Sequence, residues 1–457
     1  LALQHRSTVL FPHFCVYRSF IINGRSFVTR ILWGLVGSSV FALTASGADW
    51  PAFRGPNRDG LCKETGLLKQ WPEGGPKQVW QAKNLGLGFG TPSIAAGRIY
   101  GIGTRDGKDG VWALREGDGT ELWFTPFAAP PERYARQTNG PGSTPTYHNG
   151  KLITVSMNGT VACLDATSGK LIWEKSYLQD YAGKVPAWTY NDSVYVDGDT
   201  VICTPSSDKA ALVALKLADG SEIWKAEVGK IGGGSGYSSP VKVTILDVPQ
   251  YVILLGDASG VVGIDAKTGK TLWQYKGKPA TGSVAQIPIP IVNDDLVWVS
   301  SSYGGGAALL KIEKKGDKFE AKEVKAYKKP ELNNHHGGMV LVDGHIYFGH
   351  DQNGGSPVCV EFKTGAIKWG PEKSPAGGQR SAAVLYADGR LYFRYENGVM
   401  VLIEPNPSEL KVISSFKLPA ADQRSHPQSW PHPVIANGKL YIRDQNILYC
   451  YDVKGGA

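Results

Sequence analysis

A tryptophan returns about every fifty residues. Trp123, Trp173, Trp224 and Trp273 are spaced 50, 51 and 49 residues apart, and each closes a turn of one kind: REGDGTELW, DATSGKLIW, LADGSEIW and DAKTGKTLW. Trp369 closes a fifth, FKTGAIKW. The Gly supplies a positive φ, and the preceding Asp, Thr or Ser caps the turn with its side chain. The strand that follows delivers the indole towards a neighbouring repeat, burying roughly 150–250 Å² of aromatic surface. A period of this length constrains the fold more than any other feature of the chain.

Upstream of the turns a second phrase recurs: AAGRIYGIG, HNGKLITVS, VDGDTVICT, VDGHIYFGH, ADGRLYFRY and ANGKLYIRD. Asn-Gly or Asp-Gly followed by alternating apolar residues is a strong hairpin signal. One period therefore holds about four strands, the unit of a propeller blade. The composition agrees, with 57 Gly, 20 Tyr and only 3 Met in 457 residues.

Eight periods can be placed, so the expected fold is an all-β, eight-bladed β-propeller of four-stranded blades. The inner strands are expected near Thr91, Thr144, Trp188, Ser239, Pro288, Gly338, Ala382 and Pro433. The fifth period has KKGDKFEAKEV where the tryptophan turn belongs, and the seventh has PNPSELKVISSF. The last ends at NILYCYDVKG, one strand short, and KQVWQAK (Lys77 to Lys83) is the expected replacement. That N-terminal strand would complete the C-terminal blade and leave no sheet edge open. The expected organisation is a leader over 1–48, a strap over 49–76 and the propeller over 77–457.

Arg25 and Arg30 precede the apolar stretch ILWGLVGSSVFAL, then TASGA, then Asp49. This is the order of a secretory signal, and the apolar run is short of the about 20 residues of a membrane span. The expectation is a periplasmic or secreted protein after removal of the signal, with translation starting as late as Val28 and no lipid anchor. The mature chain is expected to carry no transmembrane segment. Four of the eight net positive charges lie in residues 1–48, at Arg6, Arg18, Arg25 and Arg30. The remainder has no clustered basic stripe, which argues against nucleic acid as a partner. Five cysteines follow the leader, with Cys163, Cys359 and Cys450 in equivalent strand contexts that are too far apart to pair. Buried free thiols are expected, and no CxxC metal pair is present.

The repeat V-x-A-L-D-A-x-T-G-K-x-x-W resembles the tryptophan-docking repeat of the PQQ-like (pyrroloquinoline-quinone-type) propellers over residues 77–453. The opening WPAFRGPNRDG, Trp50 to Gly60, is similar to the segment that begins many exported propellers of this kind. It is expected to strap Trp50 and Phe53 to the outside of the ring, in preference to a ligand role for Arg54. The resemblance implies one of two functions. Quinoprotein dehydrogenases hold the quinone and Ca²⁺ at the mouth of the ring, whereas BamB-like scaffolds carry no cofactor and bind protein. Fold alone does not choose between them.

The loops that lead from one blade to the next gather around the channel mouth: 86–92, 135–145, 186–193, 232–240, 282–290, 333–339, 377–383 and 424–433. They carry candidate ligand- or partner-binding side chains of aromatic, amide, basic and imidazole type. These are Arg136, Asn139, Trp188, Tyr190, Tyr237, Gln286, His335, His336, Gln379, Arg380, His426, Gln428, Trp430 and His432. Arg424 lies in the same set of loops, and Asp192 is their one carboxylate. A Ca²⁺-bound quinone needs hard oxygen ligands and a carboxylate base, so no catalytic residue and no resident cofactor are assigned. No histidine spacing is a known metal motif, and His335 and His336 are expected to point apart. The expected function is a non-catalytic binding or scaffold propeller of the cell envelope, taking an envelope protein, peptide or glycan. The alternatives are a divergent PQQ-dependent oxidoreductase with Ca²⁺ and a glycan-binding module.

Overall fold

The computed structural model describes the backbone at 21–22 and 25–26, and residues 49–132, 140–419, 421, 424 and 426–455. Contacts divide the chain into Leu1–Ser46 and Gly47–Ala457. In the first unit Ile21–Ile22 pairs antiparallel with Arg25–Ser26. The signal sequence expected there otherwise lies outside the described residues.

The second unit is an eight-bladed β-propeller, each blade an antiparallel sheet running from an inner to an outer strand. Blade 1 is Ser93–Ala95, Arg98–Arg105, Lys108–Arg115 and Glu121–Ala128. The inner strands of blades 2 to 8 begin at Thr146, Tyr195, Val241, Ile291, Val340, Ala382 and Val434. The third begins seven residues after the expected Trp188, because residues 186–193 form an entry loop. No helix among the described residues is long and apolar enough to cross a membrane.

The core is a ring of layers between blades. In the third strand of blade 3, Leu212 and Ala214 face blade 4, whereas Val213 and Leu215 face blade 2. Side chains alternate across a strand, and here both faces are buried, so ALVAL is apolar without a break. In blade 5, Ala307 and Leu309 pack on blade 6, and Ala308, Leu310 and Ile312 on blade 4. One cluster spans blades 7, 8 and 1, through Leu385, Tyr441 and Trp112, so the ring has no seam.

The recurring turn and tryptophan meet between blades. A Cβ added to Gly169 would lie 2.6 Å from Trp123 Cε3, at Gly220 2.8 Å from Trp173, and at Gly269 2.6 Å from Trp224. Each indole thus lies on the turn glycine of the next blade. Across its own sheet each indole faces a small residue: Trp123 opposite Ala113, Trp173 opposite Cys163, Trp224 opposite Ala214 and Trp273 opposite Gly263. Cys359 and Cys450 hold the same position opposite Trp369 and Trp80. These cysteines are free and buried because the site calls for a small apolar group. Blade 5 replaces the tryptophan turn with a long hairpin, Gly306–Lys315 and Lys318–Lys328, and there Gly365 of blade 6 meets Lys325 instead of an indole.

Gln78–Ala82 pairs with Ile447–Asp452 as the outer strand of blade 8, and Trp80 lies on Gly119 of blade 1. The ring is further tied by Arg443 of blade 8, fully buried, which donates to the carbonyls of Ile102 (2.7 Å), Gly90 (3.0 Å) and Gly86 (3.2 Å) around blade 1.

The segment after Asp49 corrects the expectation of an external strap. Trp50 is 2% exposed and pairs with Ile94 of the blade 1 inner strand. Tyr147 N–H of blade 2 donates to Pro51 O. Arg58 reaches Ser193 O (2.7 Å) and Val194 O of blade 3, and Arg54 reaches Met339 O (2.5 Å) beside blade 6. Leu61–Cys62 then adds a parallel fifth strand to the inner edge of blade 7. Contacts with the inner strands of so many blades occur only on the axis, so residues 50–62 stopper the central channel. The tight turn depends on Gly55 (φ 87°), whose Cβ would lie 2.9 Å from Trp50.

Candidate functional site at the mouth of the ring

Above the stopper is a cavity of about 170 Å³. Phe53 and Arg54 enter its lining from the stopper, and Phe89, Trp188, Tyr237, Ile287, Ile289 and Trp430 from the entry loops. Tyr303, His335, His336 and His432 complete the side nearest blades 5 to 8. Phe89 and Trp430 lie 4.5 Å apart between ring centres, and Trp188 and Tyr237 6.1 Å. Trp188 is 47% exposed, which places an indole on the rim.

Of the expected site residues, Trp188, Tyr237, His335, His336, Trp430 and His432 line this cavity. Arg136 and Asn139 lie outside the described residues. Tyr190 does not line the cavity: it is fully buried beneath it, its hydroxyl donating to Pro205 O at 3.0 Å. Gln286 is also fully buried, bonded to Ser283 O. Gln379 and Arg380 are exposed outside the lining. His426 and Gln428 face Gln445, whose side-chain amide donates to both their carbonyls, and Arg424 is bound to Asp444 at 2.9 Å. The amide and arginine character expected of the mouth is therefore absent from the described lining, apart from Asn191 and Arg54.

The loop before blade 6 fixes the imidazoles. Asn334 anchors it through its N–H to Ser300 Oγ (2.9 Å) and its side chain to Gly349 O (3.0 Å). Gly337 and Gly338 follow where nothing larger fits: their added Cβ atoms would lie 1.6 Å from Ala382 O and 1.4 Å from Arg54 Nη1. Held this way, His335 and His336 turn their rings together, 4.1 Å between centres and inclined by 36°. The expectation that neighbouring side chains diverge belongs to extended backbone, which this loop is not.

Glu396, which the entry loops do not contain, comes to the same place from the turn between the second and third strands of blade 7. With the carboxylate accepting, the donors run in one order. Tyr303 O–H donates to His335 Nε2 (2.8 Å), His335 Nδ1–H to Ser381 Oγ (2.6 Å), and Ser381 O–H to Glu396 Oε1 (2.7 Å). His336 Nε2 lies 3.7 Å from Glu396 Oε1, and neither of its ring nitrogens has a hydrogen-bond partner. His432 Nε2 donates to His336 O (3.1 Å), and its own N–H donates to Thr91 Oγ1 (2.9 Å).

Burial sets the charge of these groups. It pushes His335 down to about 4 and holds His336 well below its usual range, assisted by His335, His432 and Arg394. His432 falls to about 3 through burial and then the Arg54 charge. All three imidazoles are neutral at physiological pH. Burial raises the Glu396 carboxyl, opposed by the Ser381 and Trp430 donors.

In an antiparallel four-stranded blade, the turn between strands two and three emerges on the same face as the loop to the next blade. Tyr303, from SSYGGG, and Glu396, from RYENG, arrive that way. That topological rule, applied to the sequence, finds both.

The donor set does not fit a calcium-bound quinone. Calcium takes six to eight oxygens, whereas the lining offers imidazole nitrogens and no carboxylate other than Glu396 behind them. Asp192 is fully buried below the cavity, against Tyr177 (3.3 Å), and does not reach it.

Ring, stopper and aromatic cup together define an eight-bladed propeller whose axis is closed beneath a recess that a small group can enter. The chain belongs to the family described as outer membrane protein assembly factor BamB, whose model matches residues 107–371. The BamB of Moranella endobia is 27% identical over 231 residues, 50% of this chain and 52% of that protein. The chain spans about half the length of the curated relatives it matches. Among solved structures, BamB from Moraxella catarrhalis has a TM-score of 0.57 at 15% identity, over 82% of this chain and 99% of that one. A europium-containing methanol dehydrogenase scores 0.60 at 13% identity, over 86% and 88%. These structural likenesses establish the fold.

Proposed function

We propose that this protein is an exported, non-catalytic binding propeller of the cell envelope, which receives an extended peptide segment of an envelope protein at its mouth. One observation carries the reading: the cup is walled by Phe89, Trp188, Tyr237, Ile287, Ile289 and Trp430 and stoppered below by Phe53 and Arg54. A blind recess of this size accepts one apolar or aromatic side chain, and the exposed Trp188 offers a flat surface to the flanking backbone. BamB family membership supports the envelope and the scaffold role. A glycan is less well served. Its hydroxyls need paired polar side chains, whereas the Asn191 amide is spent on Trp188 O (2.6 Å) and Thr189 O (3.2 Å).

Tryptophan fluorescence of the protein lacking residues 1–48, titrated with strand peptides bearing one aromatic residue and with soluble oligosaccharides, tests this. Saturable shifts with the peptides, lost in Trp188→Ala, are expected. A response to oligosaccharides alone would replace the peptide by a glycan. Dye-linked alcohol oxidation on adding pyrroloquinoline quinone and Ca²⁺ would overturn the non-catalytic reading.

A further inference from the structure

We infer that His335, His336 and Glu396 form a binding site for a divalent transition-metal ion of the zinc class, with its open coordination position facing the cavity. Each residue offers one ligand atom, and these atoms lie within 4.8 Å of one another. Zinc held at about 2.0–2.2 Å brings neighbouring ligand atoms to roughly 3.3–3.6 Å. The His336 Nε2 to Glu396 Oε1 distance of 3.7 Å is just above that range, and side-chain rotations would draw the ligand atoms in from their present spread of up to 4.8 Å.

Three features separate this cluster from an ordinary set of loop polar groups. The His336 side chain is 10% exposed, yet both its nitrogens are unmatched, and polar groups so enclosed ordinarily find a partner. A dative bond to one nitrogen uses that lone pair. Glu396 is held from outside by Ser381, which also accepts from His335, the arrangement that orients metal ligands elsewhere. Finally, His335 and His336 line the cavity, so an ion between them is reached from the mouth and keeps a position for water or a ligand oxygen. His335 exchanges one of its two hydrogen bonds, to Tyr303 or to Ser381, for the metal.

Two imidazoles and one carboxylate select zinc, copper or nickel over calcium and magnesium. Arg394 and Arg424 lie nearby, but both are committed to Asp444, at 3.4 and 2.9 Å, and to backbone carbonyls. Their residual positive field disfavours a cation held by charge alone more than one held by nitrogen lone pairs. The inference needs no partner and stands apart from the binding role proposed above.

The test is titration of the chelator-stripped protein with Zn²⁺ by calorimetry and with Co²⁺ by visible absorption. One equivalent per chain is expected, with the visible bands of a four-coordinate Co²⁺ site. His336→Ala and Glu396→Gln are each expected to weaken binding on the order of a hundred-fold, and His345→Ala, on the opposite face, to change nothing. Circular dichroism and thermal melting establish that the variants fold, and Glu396→Gln preserves shape where His336→Ala leaves a gap. Absence of stoichiometric binding at micromolar metal overturns the site. So does binding that survives both substitutions, which would be adventitious coordination by other surface groups.

Discussion

Trp123 of one blade lies so close on Gly169 of the next that a Cβ there would sit 2.6 Å from Cε3. Gly169 has φ 71° and the hairpin Gly150 of the same blade has φ 78°, but a Cβ added at Gly150 would meet nothing within 4 Å. Both substitutions to Ala therefore carry the cost of a left-handed backbone for an L-residue, about 1–2 kcal/mol, and only Gly169→Ala adds overpacking of about 1–3 kcal/mol. Gly169→Ala is expected to melt well below Gly150→Ala. Equal melting temperatures would mean the indole moves aside freely and does not couple the blades.

Arg443 makes the second prediction. Replacing it by Ala strands the carbonyls of Gly86, Gly90 and Ile102 in a closed interface between the last and first blades. Arg443 has no carboxylate partner, so the cost is that of the stranded carbonyls, about 1–3 kcal/mol for each one left without a donor. Because the contact closes a ring, the loss should appear as faster exchange of backbone amides in blades 8 and 1 before the other blades. Uniform protection loss around the ring would show that closure is shared and not local.

The stopper gives a third. Arg54→Ala deprives Met339 O and Asp59 O of a donor and deepens the floor of the cup. Stability is expected to fall by about 2–4 kcal/mol, and acrylamide should quench Trp430, which lines the same cavity, more readily. Unchanged quenching would place the floor elsewhere.

The scaffold was legible in the chain because its signals are local. The turn glycine and the tryptophan lie four residues apart in Gly169 to Trp173, and alternation follows from strand geometry. Even the closing strand around Trp80 could be found, since one blade lacked its fourth member. The site was legible only in part. Trp188, Trp430 and His432 sit in entry loops, which the repeat itself delimits. Glu396 and Tyr303 sit in turns whose arrival at the mouth depends on counting strand directions. Arg54 was misplaced because a segment that threads the axis makes contacts far away in sequence: Arg54 with Met339 (2.5 Å) is 285 residues removed, and Arg58 with Ser193 (2.7 Å) 135. No local pattern encodes such partners. Gln379, Arg380 and Gln428 have suitable chemistry, but loop membership does not say which way a side chain points.

The last prediction concerns Asp192, fully buried among Tyr177, Tyr190, Cys203 and Arg58. Burial pushes its carboxyl up to about 8, against 3.8 for an exposed one, with the Tyr177 and Arg58 contacts only partly opposing. The folded protein therefore holds a proton there that the unfolded chain releases. Below about pH 4 both states are protonated and the residue costs nothing; as pH rises from there to about 8, folding takes up one proton. Stability falls across that window by up to about 1.4 kcal/mol per pH unit and levels off above it. Asp192→Asn has no such titration and keeps the shape of the side chain among the same neighbours. Urea midpoints at about pH 5, 6.5 and 8 should show the variant gaining on the native protein at each step, by a few kcal/mol in all. A constant difference between the two proteins would mean that Asp192 is ionised in the fold, with Arg58 outweighing its burial.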